Sequence, residues 1–391
     1  MPPAGPTPSP PEPSCGERGA CAARRSPRSP HEGTSTRGQD RAPARAGAYR
    51  PRVLIEETAG TATWLDPAWR AGALAWAGDA LADAGLVLAG EPEQTHVQPW
   101  STVFRLPVGD GAVWLKSAGP GSAHEPALAA ALGRWSPERV LVPLAVDRGR
   151  RLLLLPDGGR TLRDAGAGDI ATWEAVLRDH ARLQIALAPH AGEMLRLGVP
   201  DHRPERLPAM VGELLADDAA QRKGRPDGLA PEIRVRIGAT LDGYAAACRR
   251  LADGPVPATL QHDDLHDANV FVGGRRHRFF DWGDASVGHP FLVLLVALRM
   301  AARVLELPHG DPSLVRLRDA YLEEWRGSGT PAELRELCDD ALRVAPLQRA
   351  LTWRRILRGV PPAEREEWQG AVPGWTAEHL APGPLTPPPP A

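Results

Sequence analysis

The chain has 391 residues, 42% of them hydrophobic, with 46 Lys and Arg set against 48 Asp and Glu for a net charge of −2. That length accommodates two lobes and a sizeable core, and so balanced a charge argues against a general nucleic-acid binder, for which a basic stripe is expected. No apolar run reaches the roughly 18 residues of a membrane span, and Met1-Pro2-Pro3-Ala4-Gly5-Pro6 lacks the apolar centre of a secretory signal, so a cytoplasmic enzyme is expected. Residues 1–52 are rich in Pro, Ser, Gly and Arg and poor in large apolar side chains, a composition that cannot offset the entropy of ordering; disorder is expected there. Asp66-Pro67 followed by Trp69, Leu74, Trp76, Ala77 and Leu81 reads as an N-capped helix with proline in its first turn. Strands over Ser101–Leu106 and Ala112–Lys116 flank Gly109-Asp110-Gly111, strong hairpin punctuation. A helix follows from Glu125 to Trp135, then strands over Val140–Val146 and Arg151–Leu155 joined by Asp147-Arg148-Gly149-Arg150. Residues 53–156 thus read as a small antiparallel sheet with one helix, suited to holding a nucleotide. Pro156-Asp157-Gly158-Gly159 breaks the apolar run as a hinge, and helical spacing dominates from there. Trp173, Val176, Leu177, His180, Leu183, Gln184 and Leu187 form one buried stripe, on which a lone histidine reads as a core residue. Further helices are expected over 231–251, 290–306, 312–325 and from Pro331 to the Trp353 region, giving a mainly helical lobe at 157–381 that would hold the acceptor. Pro382–Ala391 is expected to be an extended, unpacked tail.

The chemistry concentrates in His262-Asp263-Asp264-Leu265-His266-Asp267-Ala268-Asn269 and, a short hairpin later, Phe279-Phe280-Asp281-Trp282-Gly283. Asp264 and Asn269 lie on a polar loop between apolar runs, and Asp281 ends a run that can pair with Val270-Phe271-Val272. Three oxygen-bearing groups therefore converge at one sheet edge. Phosphoryl transfer needs such a set: a carboxylate to orient an attacking hydroxyl, and an amide with a carboxylate to hold Mg²⁺ against nucleotide phosphates. It also needs a cation for the phosphates that stay behind. Of the 46 basic residues only Lys116 and Lys223 are lysines, so Lys116 at the end of the buried run Ala112-Val113-Trp114-Leu115 departs from the chain's own habit. A compact ammonium suits a phosphate in a tight pocket, and Glu125 at the head of the next helix is set to pair with it. No G-x-x-x-x-G-K-[ST] loop occurs.

These motifs resemble the aminoglycoside phosphotransferase and choline-kinase branch of the protein-kinase-like fold. The pattern H-x-D-x-x-x-x-N followed by hydrophobic-Asp-Trp is matched by His262, Asp264, Asn269, Asp281 and Trp282, and the likeness runs over about residues 95–360 in order and spacing. The resemblance implies an α+β bilobal fold, with a small antiparallel-sheet N-terminal lobe and a mainly helical C-terminal lobe. It also implies ATP-dependent phosphorylation of a hydroxyl on a small molecule. In that frame Asp264 aims the hydroxyl and takes its proton late, since an aspartate near pKa ~3.9 is too weak a base to act early. Asn269 and Asp281 bind Mg²⁺, Lys116 steadies the α and β phosphates, Glu125 orients Lys116, and His262 braces the loop by hydrogen bonding. Leu155 and Asp157 would neighbour the adenine. Gln98-Pro99-Trp100-Ser101-Thr102-Val103 stands where a phosphate-covering loop belongs but lacks repeated glycines, so Ser101 and Thr102 would supply hydroxyls and amides instead. The chain departs from the family pattern at Asp263, where glycine is usual, and at Gly288-His289-Pro290 and Val293-Leu294, where two aspartates are missing.

Two other classes remain open on the residues alone. A metal-dependent phosphohydrolase could use the dense His262, Asp263, Asp264, His266 and Asp267 set, provided the segment were helical so that His262 and His266 shared a metal. A nucleotide-binding pseudokinase would keep every motif residue without turnover. For the acceptor, Asp263, Asp267 and Asp284 suggest a negative field suited to a cationic amino sugar, against the alternative that the acidic residues of later helices, interleaved with Arg335, Arg343, Arg354 and Arg355, are solvated faces. Trp353, Trp368 and Trp375 could stack on a sugar or simply pack.

Overall fold

The computed structural model describes residues 58–386, so the expectation of disorder over 1–52 lies outside the described residues, as do the final five residues. Helix α1 (Thr61–Leu65) leads into α2 (Pro67–Asp83), capped as the sequence predicts: Asp66 Oδ1 accepts from the Trp69 N–H at 2.7 Å. Strands β1 (Glu93–Gln98), β2 (Ser101–Val108), β3 (Gly111–Ala118), β4 (Ala145–Asp147) and β5 (Leu152–Pro156) form one antiparallel sheet in the order β1-β2-β3-β5-β4. The β2–β3 turn is Gly109-Asp110, where Gly109 takes φ +49, a value that favours glycine. Helix α3 (Glu125–Trp135) has the predicted bounds.

Alternation along the strands sorts the sheet's two faces. Phe104, Leu106, Val113, Leu115, Leu152 and Leu154 pack under Ala73, Ala77 and Leu81 of α2. Ser101, Val103, Trp114 and Lys116 therefore face the other way, with Val103 directly opposite Lys116.

The rest is mainly helical: α4 (Ile170–Leu187), α5 (Ala191–Arg196), α6 (Leu207–Ala216), α7 (Pro231–Gly238), α8 (Leu241–Asp253), α9 (Leu294–Val304), α10 (Pro312–Glu323), α11 (Pro331–Arg358) and α12 (Ala371–Glu378). Among them lie short strands β6 (Asp201–His202), β7 (Thr259–Gln261), β8 (Val270–Phe271), β9 (Arg278–Phe279) and β10 (Ser286–Gly288). Strand β10 runs parallel to β6 and antiparallel to β7, and β8 pairs with β9. One hydrophobic core runs from Leu128 and Leu132 of α3 through the α4 stripe to Leu347 and Leu351 of α11. This is the α+β, two-lobed architecture expected. Among the described residues no helix is long and apolar enough to cross a membrane.

Three expectations need correction. The strand expected over 140–146 shrinks to Ala145–Asp147, because Pro143 has no N–H to give a ladder; Val140 instead bridges in parallel to Phe279. The helix expected over 231–251 breaks at Ala239-Thr240, where the Thr240 N–H and Oγ1 both turn back onto the Ile237 carbonyl. The tail is not unpacked from its start: Pro384 is buried, its carbonyl accepts from the Gly310 N–H at 3.0 Å, and Leu385 packs on the core.

Buried imidazoles give this fold an acid-sensitive stability. Burial holds His124, His180, His202, His262 and His289 below their ordinary value, His202 and His289 down to about 3. In both of these Nδ1 already accepts, from Gln348 Nε2 at 2.9 Å and from the Phe291 N–H at 3.3 Å, so protonation breaks a bond. The unfolded chain binds these protons from pH ~6.5 downward and the folded protein does not, so stability falls as pH drops from about 6.5 towards 3. Between pH 7.5 and 5.5 His202 and His289 should each remove about 1.4 kcal/mol. Urea unfolding at the two pH values measures the loss, and His289→Asn, which keeps an acceptor for Phe291, should reduce it. Equal losses in both proteins would contradict the assignment.

Candidate active site

The sheet, α3 and the two motif loops bring their charged groups together. Lys116 at the end of β3 donates from Nζ to Glu125 Oε1 and to Asp281 Oδ1, both at 2.7 Å. Glu125 is buried and Lys116 mostly so, whereas the Asp281 side chain is 46% exposed. Burial alone would favour the neutral amine, but Asp281 and Glu125 outweigh it and hold Lys116 above its ordinary value. For Glu125 burial dominates and raises the carboxyl despite its lysine; for the more open Asp281 the Lys116 charge overcomes burial and lowers it. Gly283 belongs to this contact, since a Cβ there would come within 3.3 Å of Glu125 Oε2 and Ser122 Oγ.

The catalytic-loop candidate follows β7. His262 is fully buried and neutral: Nε2 donates to the Phe280 carbonyl at 2.9 Å and Nδ1 accepts from the Asp264 N–H at 3.3 Å. It ties one motif segment to the other, the bracing expected from sequence. Asp264, 34% exposed at its side chain, has His266 Nε2 at 3.4 Å from Oδ2 and Arg349 Nη2 at 3.0 Å from Oδ1. Burial would raise Asp264, but His266 and Arg349 prevail and hold it well below the usual carboxylate range. Burial opposes the charge on His266, but Asp264 and Asp267 outweigh it and push its pKa up to about 10, while its Nδ1 accepts from the Ala268 N–H at 3.1 Å. Asn269 Nδ2 donates to the Asp264 carbonyl at 3.0 Å, leaving Oδ1 for another partner. The hairpin between these segments pairs Val270 with Phe279 and Phe271 with Arg278, as the apolar runs predict.

Of the sequence candidates, Lys116, Glu125, Asp281, Asp264, Asn269 and His262 are brought together; Ser101 shares the Lys116 face of the sheet. Thr102 does not. It points to the opposite face, fully buried, where its hydroxyl donates to the His96 carbonyl and accepts from Gln94 Nε2, both at 2.8 Å. Parity decides this: Thr102 pairs with Ser117, one step out of phase with Lys116. The tip of the β1–β2 hairpin is also closed by packing. Trp100 sits edge-on to Trp353 and Trp368, with centroids 5.6 and 4.8 Å away, so two of the tryptophans considered for sugar stacking pack on the hairpin.

The expected acidic field is neutralised inside the protein. Arg163 pairs bidentately with Asp267 at 2.8 and 2.9 Å, and Arg349 bonds both Asp264 and Asp284. Nor is α11 a uniformly solvated face: Arg354 meets Asp217, and the partly buried Arg355 donates to the carbonyls of Gly121, Gly283 and Asp284. Asp263 stands at φ +66, which explains why glycine suits the position; its buried carboxylate accepts from Thr352 Oγ1 and from Gln348 Nε2, holding the loop to α11. His289 supplies a brace where aspartate is usual, accepting from the Phe291 N–H. Sequence reasoning missed Trp114, which shares the Lys116 face and lies across from Leu155 at the end of β5, and missed Arg349 altogether.

As hard oxygen donors on adjoining segments, the Asn269 amide and the Asp281 carboxylate fit a Mg²⁺ ion. His262 and His266 are turned to different partners in a non-helical loop, and among the described residues no three His, Cys, Asp or Glu side chains form a metal-ligand group.

A sequence model described as the Phosphotransferase enzyme family matches residues 100–337, which is 238 of the 391 residues. Among solved structures, an ethanolamine kinase from Plasmodium vivax superposes with a TM-score of 0.51 at 13% identity, over 76% of this chain and 82% of that one. A macrolide 2′-phosphotransferase from Brachybacterium faecium gives 0.48 at 21% identity, over 80% and 98%. A choline kinase from Streptococcus pneumoniae gives 0.47 at 12% identity, over 77% and 98%. At such identity the Plasmodium vivax likeness is one of fold. No curated protein matches the chain.

Proposed function

Because the chain belongs to the phosphotransferase enzyme family, we propose that it transfers the γ-phosphoryl group of ATP, with Mg²⁺, to a hydroxyl on a small molecule. The observation that carries this reading is the Lys116–Glu125 pair meeting Asp281, on a segment that His262 ties to Asp264. Lys116 would bind the α and β phosphates, with Glu125 fixing its ammonium. Asn269 and Asp281 would hold Mg²⁺, which would supply positive charge to offset the charge that develops on the phosphates during transfer. That role requires the Asp281–Lys116 contact to loosen, and the half-exposed Asp281 is free to do so. Ser101 would offer its hydroxyl to the phosphates; Thr102 has none to spare. Trp114 lies on the lysine's face near the hinge, where the base would stack.

The acceptor's O–H donates to Asp264, whose two oxygens keep one lone pair each beyond Arg349 and His266. The hydroxyl oxygen bonds to the γ-phosphorus as the bond to the ADP oxygen breaks, and the proton passes late to Asp264. A carboxylate held this far below its ordinary value is a weak base, so its contribution is aim rather than early deprotonation. The internal pairing of Asp267 and Asp284 removes the demand for a cationic acceptor, so neutral hydroxyl compounds fit as well as amino sugars. The direct test is transfer of label from [γ-³²P]ATP to a panel of neutral and cationic hydroxyl compounds. Labelled product that requires Mg²⁺ is expected; neither product nor ADP above the no-enzyme level would sink the proposal.

A further inference from the structure

We propose that Arg349 is a positioning residue for phosphoryl transfer: from α11, one planar guanidinium spans the two motif loops and fixes the Asp264 carboxylate relative to the segment that carries Asp281. The inference rests on the function proposed above. Nη2 lies 3.0 Å from Asp264 Oδ1 on the first loop, and Nη1 lies 2.5 Å from Asp284 Oδ2, three residues beyond Asp281 on the second. Asp263 Oδ2 is 3.9 Å from Nη1. The side chain is 7% exposed, and its guanidinium carbon sits 5.8 Å from the Trp353 ring centroid and 6.0 Å from that of Trp375, which limits its swing.

The neighbours on α11 serve the same loop. Gln348 and Thr352 hold Asp263, and Gln348 reaches on to His202. A helix face that buries Gln348, Arg349 and Thr352 among apolar residues is costly unless those groups are paired, and each of them is paired to or beside the catalytic loop. An ammonium meets two carboxylates only at one nitrogen, as Lys116 does with Glu125 and Asp281; the planar fork of arginine holds them on separate nitrogens and so fixes their spacing and orientation. Arg349 acts through Asp264 and touches neither nucleotide nor acceptor, so its loss should appear in turnover rather than in nucleotide binding.

The test uses the full-length protein and Mg·ATP hydrolysis, with water standing in for the acceptor and Asp264→Asn as reference. Arg349→Lys keeps the charge and is expected to lower kcat at least about tenfold while KM for Mg·ATP stays within about threefold, the pattern of an interaction realised in the transition state. In Arg349→Ala, added guanidinium is expected to restore part of kcat and methylammonium is not. Full kcat in Arg349→Lys, or a folded Arg349→Ala that guanidinium leaves unchanged, overturns the inference alone; if Arg349→Ala does not fold, the lysine variant decides. Wild-type hydrolysis no faster than that of Asp264→Asn, together with no labelled product from the hydroxyl panel, would instead remove the proposed function, and this inference with it.

Discussion

Asp264→Asn is expected to lower kcat by about 10²–10⁴-fold, with KM for Mg·ATP nearly unchanged. The substitution keeps the size of the side chain and an oxygen that can accept from Arg349 or from the acceptor hydroxyl. What it removes is the negative charge proposed to orient that hydroxyl and receive its proton. In the wild-type protein Arg349 and His266 hold Asp264 ionised, so the carboxylate form is already present at neutral pH. The loss should therefore appear in the chemical step and not in nucleotide affinity. Initial rates of ADP release across a range of Mg·ATP concentrations separate the two. A variant that keeps more than about a tenth of wild-type kcat would remove Asp264 from the aiming role.

The second large effect concerns the lysine, and it separates stability from activity. Lys116→Met leaves Glu125 buried at 2% exposure with its cation gone. Breaking a buried pair from one side costs about 3–5 kcal/mol, because the remaining charge is uncompensated. Asp281 loses the same partner but is half exposed, so water takes the place of the ammonium there. Lys116→Met combined with Glu125→Gln removes both charges and should recover most of the stability measured by urea unfolding. It should recover no phosphotransfer, because the cation proposed for the phosphates is still missing. Recovery of both would mean that Lys116 is a structural residue; recovery of neither would mean that the cost lies in packing, not charge.

The parts of the site legible in the sequence were those whose information is local. Asp264 and Asn269 are five residues apart on one loop, Asp281 ends the strand that pairs with the one following that loop, and Lys116 stands out because the chain otherwise uses arginine. Helix α3 was legible to the residue because Glu125 and Pro126 mark its first turn and Ser136 follows its end. Strand β1, Glu93-Gln-Thr-His-Val-Gln98, is too polar to read as a strand; it is held by pairing with β2, which is not a local property. The same holds for Thr102. Its residue type suits a phosphate, and only the register with β3 reveals that it faces the other way. Arg349 lies 85 residues from Asp264, on a helix whose arginines alternate with acids like a solvated surface. A signal existed: Gln348, Arg349 and Thr352 fall within Ala345–Trp353, a stretch otherwise dominated by apolar residues, and buried polar groups need partners. Sequence alone could say that such partners exist, not that they are Asp263 and Asp264.

The most direct test of a Mg·ATP site built on Lys116, Asn269 and Asp281 is the unfolding transition of wild type and Asp281→Asn, each without ligand, with Mg²⁺ alone, and with Mg²⁺ and ATP. At roughly a hundred times its dissociation constant a ligand stabilises the folded state by about 2.7 kcal/mol. Wild type should gain that stabilisation from Mg²⁺ with ATP and little from Mg²⁺ alone, and Asp281→Asn should gain little from either. Equal stabilisation of both proteins by Mg·ATP, a shift reproduced by Mg²⁺ without nucleotide, or no response in wild type would contradict the site.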